Sequence, residues 1–413
     1  MEAVKRILFI TGEYPAFASP TSLAASFVID HSRNDYEVYC LSIRNNGNHK
    51  STQNTRVIHM SDNNGDILSA KFKSRLWLRV NQILTIPIYP ILHPKMQHKL
   101  NKKAFEICSK YKIDAIVGVS FPFEAVIAGA YVKKKIPEII FIPYLIDAYS
   151  CGTPPKYLPQ SYSNRRRLWY EHNAISNADG IIAMKSGREF YEKQEYECYH
   201  KIYYLNPAFF VEPKRRTDKS DNHHLQGYIN IVYTGYLYLP DRNPTYAIRL
   251  FSSLKSFKVR LTFIGRTEVK DIIEKEKKTF NGELSAPGFM KHEQLEDFLM
   301  NADFLLHMGV SNGSAISGKI FEYMSYGKPI IALYHDPNEA TLPYLEKYPY
   351  AICINIKTTP VDIATILIEK FITENMGKVA EPSSLKALFY DSTPDAFWDV
   401  LNSIVEEKFE TLN

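Results

Sequence analysis

The sequence predicts an α/β protein built from two doubly wound domains, and three observations carry that prediction. The chain has 413 residues, more than the ~250–300 that a single hydrophobic core normally serves. Short apolar runs of strand length alternate with helical stretches, as in parallel sheets covered by helices on both faces. The opening of the chain is also repeated at its middle. A β-rich run at 4–11, a loop with Gly12, Pro15 and Pro20, and a helix over about 21–32 are matched by a run at 229–234, a loop at 235–240 and a helix over about 244–255. Further buried strands are expected at 115–119, 139–143, 180–184, 260–264, 304–307 and 330–333. Ligands of such sheets bind beyond the carboxyl ends of the strands, so the loops there are where function is sought.

Composition narrows the class. Hydrophobic residues make up 45% and charged residues 23%, the proportions of a soluble globular protein. Cys40, Cys108, Cys151, Cys198 and Cys353 stand singly, without metal or redox spacing, which predicts a reducing cytoplasm and no disulfide framework. The N-terminus reads as a first strand and not as a signal peptide. No apolar run reaches the ~20 residues of a membrane span. The formal charge of +5 is unevenly divided, +9 over 1–210 and −4 over 211–413. Between the halves, 212–224 is polar and without periodicity, a linker. The expected organisation is an N-terminal domain over 1–207, a linker over 208–226, a second domain over 227–390, and a C-terminal helix within 391–413. Phe397, Trp398, Leu401, Ile404 and Val405 give that helix an apolar face able to return to the first domain.

The segment 314–333 is the most informative. It reads as loop, short helix, glycine stop and buried strand, with Ser317 as N-cap, Gly327 as C′ residue and Ile320, Phe321 and Met324 as the apolar stripe. Lys319 and Glu322 fall together on the other face, three residues apart, near free backbone N–H groups that favour an anion. The spacing admits two readings: a solvent-facing ion pair, or a place where a phosphate and a polar sugar are held together.

The run from Ser317 and Gly318 through Lys319, Glu322 and Gly327 to Ala332 resembles the donor-site segment of the family-4 (group 1) retaining glycosyltransferases, in the variant found among polysaccharide and lipopolysaccharide assembly enzymes. The resemblance implies two Rossmann-like doubly wound domains facing across a cleft, the GT-B fold, with a nucleotide-sugar donor on the second domain. In that family the segment closes a pair of glutamates eight positions apart. Glu322 matches the second; Ser314 stands in place of the first.

The same resemblance assigns other residues. Gly235 and Tyr236 open the glycine loop beside the donor diphosphate, and Arg242 matches its basic residue, with a solvated or Asp241-paired arginine as the alternative. Two cations at a leaving diphosphate, Arg242 and Lys319, would act where charge develops. Gly265 and Arg266 lie near the nucleotide, and backbone around Gly288, Phe289 and Met290 meets the base. On the acceptor side, Gly12, Glu13 and Tyr14 open the loop that would face the acceptor, Phe121 and Glu124 lie at another strand end, and Asp147 resembles the family's cleft aspartate, a partner for an acceptor hydroxyl, with a turn or N-cap aspartate as the alternative. His307 reads as a packed strand-end histidine.

No His, Cys, Asp or Glu cluster has metal-ligand spacing, so metal-independent chemistry with no cofactor beyond a UDP- or GDP-linked sugar substrate is expected. From 67 to 105 there is no Asp or Glu, while eight Lys and Arg alternate with aromatic and aliphatic residues. Such a stretch suits an anionic membrane surface, or a solvated basic face over a buried helix; nucleic acid is not expected. The expected activity is transfer of a sugar to a lipid-linked or oligosaccharide acceptor. A non-catalytic nucleotide-sugar-binding partner and a nucleotide-sugar epimerase or phosphorylase on the same plan are the alternatives.

Overall fold

Apolar runs too short for helices and rich in Ile and Val pair side by side into two parallel sheets. The computed structural model describes residues 4–16, 19–44, 55–60, 83, 86–91, 93–152, 154–194, 197–213, 227–310 and 316–412. The chain divides into two units, Met1–Ala208 with Pro394–Asn413, and Phe209–Thr393.

In the first unit the strands are β1 (Lys5–Glu13), β2 (Tyr36–Arg44), β3 (Thr55–His59), β4 (Ala115–Ser120), β5 (Ile140–Leu145), β6 (Ile181–Met184) and β7 (Ile202–Leu205). They pair in parallel in the order β3-β2-β1-β4-β5-β6-β7. Alternate residues of β1 feed opposite faces: Leu8 and Ile10 join one core with the helices Pro94–Tyr111 and Glu124–Lys135, while Ile7 and Phe9 join the other. The second core is closed by the helix Pro394–Leu412, through Phe397, Trp398, Leu401, Ile404 and Val405.

Polar contacts fix that helix in place. Trp398 is fully buried, and its indole N–H donates to the Val28 carbonyl at 2.9 Å. Asp179, nearly buried, accepts the Phe141 amide at 2.9 Å and meets Lys133 at 2.8 Å and Lys408 at 3.1 Å. A buried carboxylate placed between two ammonium groups and an amide is well compensated.

The second unit contains β8 (Tyr228–Thr234), β9 (Lys258–Ile264), β10 (Gly282–Gly288), β11 (Phe304–Met308), β12 (Ile330–Tyr334) and β13 (Ala351–Asn355). The order is β10-β9-β8-β11-β12-β13, again parallel. Each sheet thus reverses its winding once, between β1 and β4 and between β8 and β11, as expected for doubly wound folds. These reversals are where the loops diverge and a crevice opens. Among the described residues no helix is long and apolar enough to cross a membrane.

Trp398→Ala empties a site with no solvent exposure and is expected to destabilise the first unit by about 3–5 kcal/mol. Urea unfolding followed by circular dichroism measures this; a loss below about 1 kcal/mol would contradict the packing described.

Candidate functional site

Three glycines line the carboxyl ends of β8, β9 and β10. Gly235 (φ +154°), Gly265 (φ +138°) and Gly288 (φ +95°) all have backbone conformations that residues with a Cβ rarely adopt. The chain is stitched across them: the Gly235 amide donates to Ile264 O and the Gly265 amide to Gly288 O, each at 2.9 Å. At Gly265 the approach is so close that a Cβ would stand 2.0 Å from the Gly235 carbonyl oxygen. Leu237 N–H then donates to Arg266 O, and Glu268 N–H to Leu237 O, so the loops after β8 and β9 run as one layer. Tyr236, exposed, donates its hydroxyl to Glu268. The Arg266 guanidinium lies 5.7 Å from the centre of the exposed Phe289 ring, a cation–π contact.

Beyond this layer, at the winding reversal between β8 and β11, a pocket of about 310 Å³ is lined by Tyr238, Asp241, Arg242, His307, Met308, Gly309, Val310, Ser317 and Glu339. Arg242 is half-buried and sits beside the Tyr233 hydroxyl, whose pKa burial pushes up to about 12 while the neighbouring guanidinium acts the other way. Its Nε is buried without a hydrogen-bond partner. A guanidinium N–H left unpaired in a pocket wall is poised for an anion.

The helix Gly318–Ser325 begins next to Ser317 and ends at Gly327, whose φ of +69° makes it the left-handed stop. Ser317 occupies the N-cap position with extended backbone and makes no side-chain cap bond. Gly318 is required by packing, since a Cβ there would meet the Phe209 ring at 2.7 Å. Tyr323 pins the helix to the sheet: its buried hydroxyl accepts the Thr234 amide at 2.7 Å.

Lys319 donates to Glu322 at 2.6 Å, but this is no solvent-facing pair, because Glu322 is 3% exposed. Its other oxygen, Oε1, has no hydrogen-bond partner and lies 3.6 Å from Nδ1 of His292, on the helix His292–Asn301. Of the two readings of this pair, the solvent-facing one is therefore excluded. Lys319 and Glu322 are not among the residues lining the Arg242 pocket.

In the first unit, Gly12 and Glu13 end β1 instead of opening a loop, because the pairing with β2 runs on to Glu13↔Arg44. Glu13 forms an ion pair with Arg44 at 3.0 Å. Tyr14 donates to Asp30 at 2.6 Å, and its burial, with the Asp30 carboxylate beside it, raises its pKa. Phe121 packs 5.6 Å from Tyr149, and Glu124 starts its helix, its carbonyl accepting from Gln97. Asp147 is exposed just past β5, and desolvation by its surroundings raises its pKa. Met290 is half-buried after β10. Ser314 lies outside the described residues, and of the 67–105 stretch the structure describes 83, 86–91 and 93–105, the last part forming the start of the helix Pro94–Tyr111.

Glu339 was not anticipated. It is 3% exposed, with Oε1 accepting from Thr341 at 2.6 Å and lying 3.4 Å from Nε2 of His307, while Oε2 has no partner. The only sequence signal was an acidic residue in a turn just beyond a buried strand.

Residues 229–342 match the family model of the glycosyl transferases group 1. That stretch carries the glycine layer, Arg242, the helix Gly318–Ser325 and Glu339, so the similarity to the glycosyl transferases group 1 lies in the second unit. No curated protein is similar to the chain in sequence. Among solved structures, HepE from Anabaena, determined with UDP and glucose, is 14% identical with a TM-score of 0.54, covering 98% of each chain. The lipopolysaccharide outer core galactosyltransferase WaaB is 13% identical with a TM-score of 0.51, over 98% of this chain and 99% of its own. The UDP-GlcNAc 2-epimerase of Methanocaldococcus jannaschii is 12% identical with a TM-score of 0.51, over 96% and 99%. The shared property is the fold, the two-domain Rossmann-like GT-B architecture expected from the sequence.

The glycine layer gives a graded prediction. Gly265→Ala meets backbone at 2.0 Å and Gly288→Ala meets nothing within 4 Å, both at positive φ. The second is expected to cost only left-handed strain, about 1–2 kcal/mol, and the first clearly more. Equal losses in chemical unfolding would refute the close approach of the two loops.

Proposed function

We propose that this chain is a retaining glycosyltransferase that moves a sugar from a UDP-sugar to a lipid-linked or oligosaccharide acceptor in cell-surface polysaccharide assembly. The observation that carries the proposal is the pocket at the winding reversal of the second unit, where Arg242 presents an unpaired Nε. UDP is preferred over GDP because HepE was determined with UDP, and WaaB, a lipopolysaccharide galactosyltransferase, motivates the acceptor class. In this reading Arg242 and Lys319 stabilise the leaving diphosphate, Glu322 holds the ribose, and backbone at Gly288–Met290 meets the base. Main-chain groups leading to Ser317 position the sugar, and Asp147 binds an acceptor hydroxyl. The departing diphosphate takes up the acceptor proton on the face where attack occurs, which preserves the anomeric configuration. No metal is needed if two cations already neutralise the charge. The protein would work in the cytoplasm, its basic 67–105 segment resting on an anionic membrane face; at ~1 kcal/mol per cation such a contact is reversible.

The second reading, an epimerase acting on the free nucleotide-sugar, is supported by the epimerase of the same fold. Incubating the protein with a panel of UDP-sugars, with and without membrane extract, separates the two. Label moving into lipid or oligosaccharide with the donor's anomeric configuration supports transfer. A new UDP-sugar formed without acceptor would establish the epimerase instead.

Removal of one charge-stabilising donor typically lowers turnover about 10²–10³-fold. Arg242→Ala is expected to fall in that range, and Lys319→Ala to abolish transfer with the circular dichroism spectrum unchanged. Near-normal turnover in either would remove that residue from the site.

A further inference from the structure

We infer that Glu339 is a donor-specificity residue that accepts a hydrogen bond from a hydroxyl of the transferred sugar, through its unpartnered Oε2. The inference rests on the donor-site reading above and adds to it the group that recognises the sugar.

The two oxygens of this carboxylate are unlike. Oε1 is held by the Thr341 hydroxyl at 2.6 Å and faces His307 at 3.4 Å; Thr341 is 1% and His307 4% exposed, so the holding groups are themselves fixed by burial. Oε2 is buried and has no hydrogen-bond partner. It lies over Gly309, where a Cβ would stand 2.0 Å from it, and Gly309 and Glu339 both line the Arg242 pocket. Glycine at 309 therefore leaves the space in which this oxygen sits. An ionised oxygen without a donor is costly in a protein interior and is retained where a ligand supplies the donor.

The polarity of the pocket says which part of a ligand that is. Arg242 shares the lining with two carboxylates, Asp241 beside it and Glu339 from the loop after β12, so the pocket offers one guanidinium to phosphate while the Glu339 carboxylate repels it. A neutral, hydroxyl-bearing group suits the Glu339 side, because an O–H donates to a carboxylate and replaces the water lost on burial. A glycosyl diphosphate carries both chemistries next to each other.

The test is calorimetric titration of the full chain with UDP, UDP-glucose, UDP-galactose and UDP-N-acetylglucosamine, for the wild type, Glu339→Gln and Glu339→Asp. The first variant keeps shape and removes charge; the second keeps charge and withdraws the oxygens. Both are expected to lose at least about tenfold in affinity for the best-bound UDP-sugar, while affinity for UDP changes less than about threefold. A parallel loss for UDP and UDP-sugar, no loss for either, or failure of both variants to fold assigns Glu339 a structural role and overturns the inference. Wild-type protein that binds none of the four ligands overturns the donor-site reading itself, a separate and distinguishable outcome.

Discussion

The second unit depends on one steric constraint, the crossing of the Gly235 and Gly265 backbones without an intervening side chain. A Cβ at 265 would stand 2.0 Å from the Gly235 carbonyl oxygen, so only glycine lets the loops after β8 and β9 join in a continuous hydrogen-bonded layer. With that layer closed, the loop running on to Arg242 is carried toward the winding reversal, where the ends of β8 and β11 separate. The crevice follows from topology, since strands on either side of a reversal send their connections to opposite faces. Tyr323 fixes the remaining wall by bonding the end of β8 to the helix Gly318–Ser325.

Within this frame the acidic groups are more telling than the basic ones. Glu322 and Glu339 are each 3% exposed, and each has one oxygen in a hydrogen bond and one without a partner. Buried carboxylates are normally fully paired, because an unpaired one costs on the order of 1–3 kcal/mol or more. The first unit shows the contrast: buried Glu171 receives the Ser150 amide and hydroxyl on one oxygen and the Tyr191 hydroxyl on the other, and is a packing element.

The fold class was legible because the central strands are continuous apolar runs, and the paired β-loop-α openings announced two sheets. Strands expected at 115–119, 260–264 and 330–333 appear as β4, β9 and β12. The strands that escaped notice are of another kind. β3, β7, β10 and β13 are the sheet edges, shorter or more polar, and β10 carries Gly282, Glu283, Ser285 and Pro287, residues tolerated only where one side lacks a partner strand. β2 has Glu37 and Arg44 near its two ends and Ser42 within it, which leaves only a short apolar run. At the site, Gly327 and Ser317 were readable because helix stops and caps are local. The burial of Glu322 was not, since it comes from the helix His292–Asn301 some 20–30 residues earlier, and Glu339 meets His307 across 32 positions of sequence.

A nucleotide-linked sugar held at the winding reversal of the second unit would leave a clear signature. The most direct measurement is a crystal structure of the chain with UDP bound. The diphosphate is expected within hydrogen-bond distance of Arg242 and Lys319, with the base against the backbone of Gly288–Met290. A nucleotide seated elsewhere, with the Arg242 pocket filled only by water, would contradict that placement.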